Sequence, residues 1–79
     1  MKHKLFVSFN FEMTRPAFVV DALKPYKVVK VIQKGKYTWK VTIKSNKDVD
    51  TIAESLRKKG SVRDVEIPDS NELKVKDDE

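Results

Sequence analysis

Apolar and polar residues alternate most regularly over residues 28–44, on both sides of a Lys34-Gly35-Lys36 turn. Alternation with a period of two is typical of β-strands that bury one face and expose the other. The segment therefore predicts an antiparallel hairpin with strands over residues 28–33 and 37–44. The residues of the second strand expected in the core are Tyr37, Trp39, Val41 and Ile43. In the first strand we expect Val29 and Val31 in the core, with Val28 and Ile32 outside beside Lys30 and Lys34.

The same alternation predicts a strand near each end of the chain. Residues 4–12 place Leu5, Val7, Phe9 and Phe11 on the face expected to be buried and Phe6, Ser8, Asn10 and Glu12 on the other. Residues 62–67 alternate less strongly, and Pro68 ends them because proline cannot donate to a strand ladder. These two segments bracket the hairpin along the sequence.

Two segments with helical spacing lie between these strands. In the first, over residues 15–24, Thr14 is the expected N-cap and Pro16 lies in the first turn. Its apolar residues are Phe18, Val19, Ala22 and Leu23, and Lys24-Pro25 ends it. In the second, Ser45 with Asp48 resembles a capping box, and Gly60 follows the end of the helix. Its apolar residues are Val49, Ile52, Ala53 and Leu56.

The predicted order is strand, helix, strand, strand, helix, strand. Strands with one apolar face and two amphipathic helices favour an α+β, ferredoxin-like βαββαβ sandwich, in which both helices cover one face of a four-stranded antiparallel sheet. Right-handed crossovers place the strands over residues 4–12 and 37–44 in the centre and those over 28–33 and 62–67 at the edges. We expect one domain over residues 1–68 and a flexible acidic tail over 69–79.

Composition narrows the classes of function. The chain has 79 residues, no cysteine and a single histidine, His3. This excludes thiol catalysis, iron–sulfur clusters and cysteine-based zinc sites, and no serine has a plausible base nearby in sequence. We therefore expect no enzyme activity, cofactor or metal. No apolar run is long enough for a membrane span and no signal peptide is evident, so a cytoplasmic protein without membrane contact is the expectation.

The charge is distributed unevenly along the chain. Residues 1–47 hold ten lysines and one arginine against Glu12 and Asp21, a net charge of +9, whereas residues 48–79 carry −4. Eight lysines and no acidic residue lie between Asp21 and Asp48. Such a block creates a local positive field that attracts phosphates or acidic protein surfaces. It also fits a simpler role, in which lysines solubilise a sheet and protect its edge from aggregation.

The sheet face away from the helices is the candidate binding surface. We expect it to dock an anionic partner, either a nucleic acid backbone or an acidic protein, with the protein itself a monomer or homodimer. The candidate contact residues are Lys27, Lys30, Lys34, Lys36, Lys40, Lys44, Phe6, Thr38 and Thr42. Arg15 and Lys47 are possible extensions, and Asp64 and Glu66 from the last strand should give the face a charge gradient.

Residues 5–67 also resemble ACT regulatory domains. Thr14-Arg15-Pro16-Ala17 is similar to the Arg-Pro-Gly turn of that family, with Ala17 in place of the glycine, and residues 56–67 are similar to its closing passage from helix to strand. The resemblance implies regulation by side-by-side pairing of sheets and a small ligand at the pairing surface. A third hypothesis is a small protein inhibitor of an enzyme that adds its exposed edge strand to a partner.

Overall fold

The computed structural model describes residues 2–68, and the predicted tail over 69–79 lies outside them. The elements are β1 (Lys2–Phe9), α1 (Pro16–Ala22), β2 (Lys27–Gln33), β3 (Thr38–Lys44), α2 (Val49–Arg57) and β4 (Val62–Glu66). The strands form one antiparallel sheet in the order β2-β3-β1-β4. The ferredoxin-like βαββαβ prediction is confirmed, with β1 and β3 central as expected.

A single core joins one face of the sheet to both helices. Leu5, Val7 and Phe9 of β1 and Trp39, Val41 and Ile43 of β3 are buried, as their alternation predicts. The same cluster contains Val19 from α1 and Ile52, Ala53 and Leu56 from α2. Because both helices pack against strand residues of one parity, they lie on one side of the sheet. The other face is left uncovered by the helices.

Strand β1 is shifted toward the N-terminus relative to its prediction. It runs from Lys2 to Phe9, and the chain leaves the sheet at Asn10, whose backbone N–H donates to the Ser61 carbonyl at 2.9 Å. The prediction that Phe11 is buried is therefore wrong, and its side chain is 57% exposed. Alternation continued past Phe9, but the strand did not.

The hairpin contains an irregularity that the alternation does not show. Val28 pairs with Ile43 and Lys30 pairs with Thr42, so the register shifts at Val29. Val28 consequently packs against the core and Val29 is 46% exposed, which reverses the predicted roles of these two valines. A β-bulge of this kind leaves the extra residue unpaired. Val31, opposite Val41, packs against the core as predicted.

The loop between β2 and β3 is one residue longer than predicted. Lys34 and Gly35 both donate their backbone N–H groups to the Thr38 carbonyl, at 2.9 and 3.0 Å, so β3 begins at Thr38. Tyr37 therefore lies in the loop and is 43% exposed, and its predicted place in the core is wrong.

Both helices begin later than predicted. Arg15, not Thr14, is the N-cap of α1, because Pro16 takes the first helical position that proline favours. Arg15 makes no side-chain cap, since its guanidinium can only donate hydrogen bonds. Phe18, in the first turn, is exposed rather than buried. In α2 the N-cap is Asp48, whose carboxylate accepts the Thr51 N–H at 3.3 Å. The Ser45 hydroxyl accepts instead from the Lys47 N–H within the preceding turn.

None of the helices within residues 2–68 is long and apolar enough to cross a membrane.

Candidate anion-binding face

The antiparallel registers align the side chains of the open face in rows that cross the strands. Lys44 of β3 lies opposite Lys2 of β1 on one side and opposite Lys27 of β2 on the other. We call this set, Lys2, Lys27 and Lys44, the lysine row. Directly opposite residues in adjacent strands have Cβ atoms about 4.5–5.5 Å apart. Three positive charges are therefore held side by side at one end of the sheet.

The lysine row lies outside the ion pairs formed by the described residues. Within residues 2–68 none of its three ammonium groups takes part in an ion pair. Like charges placed directly opposite one another on a sheet are destabilising. Placing these three lysines opposite one another therefore does not stabilise the folded state.

The next rows continue the surface toward the other end of β3. Thr42 lies between Lys4 and Lys30 and is buried although it belongs to the open face. Beyond it, Lys40 lies between Phe6 and Ile32. The fourth row pairs Thr38 with Ser8, whose hydroxyl oxygens are 3.0 Å apart. Lysines thus dominate the first half of the face, and hydroxyl and apolar groups the second.

The predicted site residues divide into two groups. The strands bring together Lys27, Lys30, Lys40, Lys44, Phe6, Thr38 and Thr42 on the open face. Lys34 and Lys36 lie in the β2–β3 loop, beyond the strands, and do not belong to this face. Of the two proposed extensions, Arg15 precedes α1, and the Lys47 ammonium lies 5.7 Å from the centre of the Tyr26 ring. These two cations belong to different loops.

Strand β4 provides the acidic side of the face. Glu66 lies opposite Phe6 and Asp64 opposite Ser8, so both carboxylates flank β1 on the side away from β2. Arg57 of α2 reaches Asp64, with its Nε 3.7 Å from the carboxylate oxygen, and also donates to the Val65 carbonyl at 2.7 Å. The expected gradient is therefore present, from the lysine row to this partly neutralised acidic edge.

Lys2 and Lys4 belong to the face but were not predicted as site residues. The predicted strand began at residue 4, whereas β1 begins at Lys2, which makes Lys2 the partner of Lys44. The signal was available, since both lysines share the parity of Phe6 and Ser8. A strand predicted two residues longer at this end would have found them.

A small recess adjoins the lysine row. A cavity of about 290 Å³ is lined by Lys2, His3, Lys4, Val49 and Ile67. Within residues 2–68 no three His, Cys, Asp or Glu side chains are grouped as metal ligands would be. Lys2 and Lys4 bring ammonium groups to this region, and such groups bind anions as point charges.

The chain matches no protein-family model, no curated protein and no solved structure. Its function has to be inferred from the site itself.

Proposed function

We propose that this protein is a non-enzymatic binding module that docks the phosphate backbone of a nucleic acid on its open sheet face. One observation carries the proposal: the lysine row of Lys2, Lys27 and Lys44, which holds three like charges side by side without an ion pair among residues 2–68. A polyanion would relieve the repulsion that the fold leaves in place.

The geometry favours phosphates over an acidic protein. The rows repeat along β3 every second residue, about 6.6 Å apart, and so form a column of cations and hydroxyls that suits a repeating polyanion. Lysines and hydroxyls are groups that contact phosphates without reading base sequence. An acidic protein surface offers carboxylates at irregular spacing and would use fewer of these positions.

Binding to labelled single- and double-stranded oligonucleotides, measured by fluorescence anisotropy over a range of salt concentrations, tests the proposal. With about four to five phosphate contacts we expect a log–log salt slope of about −3 to −3.5 for single strands and about −3.5 to −4.5 for duplexes. The triple variant K2Q/K27Q/K44Q should weaken binding at least about tenfold at low salt, because it removes the lysine row.

A matched control separates the lysine row from net charge. The variant K24Q/K58Q/R63Q removes the same number of positive charges from positions after α1, after α2 and at the irregular position of β4. We expect it to bind within about threefold of wild type, since these cations lie outside the proposed contact surface. If both triple variants weaken binding equally, only bulk charge acts. If the wild-type protein binds no oligonucleotide even at low salt, the nucleic-acid proposal fails.

A second candidate is ACT-like regulation by pairing of sheets. The observation that favours it is the outer edge of β2, which pairs with no strand among residues 2–68 and exposes Val29. The lysines and the bulge on the same strand oppose it, because both features discourage edge-to-edge pairing. Sedimentation equilibrium tests this candidate, and a strict monomer at high micromolar concentration would contradict it.

A further inference from the structure

The end of the sheet opposite the lysine row carries two exposed aromatic side chains, Phe11 and Tyr37, which we call the aromatic tip. Phe11 belongs to the β1–α1 loop and Tyr37 to the β2–β3 loop. Two backbone hydrogen bonds join these loops: the Phe9 N–H donates to the Tyr37 carbonyl at 2.7 Å and the Met13 N–H to the Lys36 carbonyl at 3.3 Å. Phe11 thus lies between Phe9 and Met13, the two residues that hydrogen-bond to the β2–β3 loop.

A further hydrogen bond holds the β1–α1 loop in place. The Asn10 side chain donates to the Gly60 carbonyl at 2.8 Å, which attaches the β1–α1 loop to the turn before β4. Met13, two residues after Phe11, is buried beneath the loop. The two aromatics are therefore exposed on anchored backbone, so little conformational entropy would be lost when a ligand packs against them.

Cations lie in both loops of the aromatic tip, and Asp64 of β4, opposite Ser8, lies at the same end of the sheet. Lys34 and Lys36 precede Tyr37 in its loop, and Arg15, the N-cap of α1, lies four residues after Phe11. Within residues 10–15 and 34–37 the single acidic side chain is Glu12. A surface that combines aromatic rings with positive charge is complementary to a ligand that combines flat apolar rings with negative charge. Nucleic acid is the polymer with both.

We propose that Phe11 and Tyr37 stack unpaired bases, so that the ligand of this protein is a single-stranded nucleic acid. The inference rests on the proposed function, because the open face would bind the phosphates of the same strand. Aromatic stacking next to a cationic groove is the usual means of binding single strands without sequence preference. A duplex hides the faces of its bases, and the aromatic tip would add nothing to its binding.

The column along β3 runs from the lysine row to the end of the sheet that carries the aromatic tip. From Lys44 to Tyr37 the chain advances seven residues, or about 23 Å in an extended strand. Lys44, Thr42, Lys40 and Thr38 share the open face over that distance. A linear polyanion that follows this line reaches the end of the sheet that carries the aromatic tip. Tyr37 has the parity of the buried Trp39, so the polyanion must cross this end of the sheet to stack on its ring.

The test compares wild-type protein with F11L/Y37L, in which both side chains stay apolar but lose their rings. The probes are a short unstructured DNA strand containing 2-aminopurine and a duplex of equal length. We expect wild type to prefer the single strand and to quench 2-aminopurine fluorescence by stacking.

F11L/Y37L should bind the single strand about tenfold more weakly, lose the quenching and keep the salt slope, since it retains every lysine. The control V29A removes exposed apolar surface at the sheet edge and should bind as wild type does.

The outcomes distinguish the two proposals. If F11L/Y37L binds and quenches as wild type does, while K2Q/K27Q/K44Q loses affinity, the stacking inference is overturned and the proposed function stands. Equal affinity of wild type for single strand and duplex would also overturn the inference alone. Absence of all oligonucleotide binding would remove both proposals. Binding to anionic vesicles that depends on Phe11 and Tyr37, with no effect on oligonucleotides, would show that the aromatic tip is a membrane contact instead.

Discussion

The two faces of this sheet are built by the same strands and obey different requirements. Ile43 and Lys44 are neighbours in sequence and show the contrast. Ile43 lies between His3 and Val28 on the covered face and is completely buried. Lys44 lies between Lys2 and Lys27 on the open face. Ile43 gains stability from its cross-strand neighbours, whereas the ammonium group of Lys44 is repelled by those of its neighbours.

This difference separates residues that folding explains from residues that it does not. Burial of apolar side chains is the main favourable term in folding, and it accounts for the covered face. Opposed lysines oppose folding, so the lysine row calls for a role outside the fold. Solubility would be served as well by lysines spread over the surface as by three placed opposite one another.

The largest expected effect comes from breaking the covered face. Ile43→Ala should lower the free energy of unfolding by about 2–5 kcal/mol, because it removes buried methylene groups and leaves a cavity in the core. Chemical denaturation followed by the fluorescence of Trp39, the only tryptophan and a buried one, measures this loss. The matched control is Lys44→Ala in the adjacent position, which should leave stability unchanged or raise it. If both substitutions lowered the free energy of unfolding equally, the two faces would not differ in their contribution to stability.

A smaller effect of opposite sign is expected from the lysine row itself. K2Q/K27Q/K44Q should raise the melting temperature at low ionic strength, because it removes the repulsion between opposed ammonium groups. The gain should shrink as salt is added, since exposed charges are screened over about 10 Å at 0.1 M. Thermal melts at low and high salt, with K24Q/K58Q/R63Q as control, measure both trends. A fall in melting temperature at low salt would mean that the row stabilises the fold and needs no partner.

Much of this contrast could be predicted from the sequence. Alternation with a period of two identified all four strands and the buried set Trp39, Val41 and Ile43, and it placed Lys40 and Thr42 on the opposite face. These assignments succeed because a side chain's face depends only on its parity within a strand. The order of the strands then followed from general rules for connections.

Parity fails where a strand is interrupted or ends. The bulge at Val29 exchanges the faces of two adjacent valines, and nothing in the local pattern marks it. Phe11 and Tyr37 continue the alternation of their strands. However, β1 ends before Phe11, where Asn10 bonds to Ser61, and β3 begins after Tyr37, where the turn of the hairpin itself bonds to Thr38. Both aromatics were therefore predicted to be buried, and the aromatic tip could not be found from sequence.

The smallest expected effect lies away from both faces, at the N-terminus of α2. Hydrogen bonds from the side chain and the backbone N–H of Thr51 stabilise the ionised form of the Asp48 carboxylate and lower the pKa of this side chain below its ordinary value. A carboxyl whose pKa is lower in the folded state contributes stability that is complete above the unfolded-state pKa and is lost as the pH falls through the folded-state value. Asp48→Ala should therefore lower the melting temperature slightly at pH 7, and the difference from wild type should shrink below about pH 4.

Ser45→Ala is the control, because its hydroxyl accepts from Lys47 before the helix and does not titrate. A melting difference for Asp48→Ala that stayed constant from pH 7 to pH 2.5 would show that the cap acts by packing and not by charge.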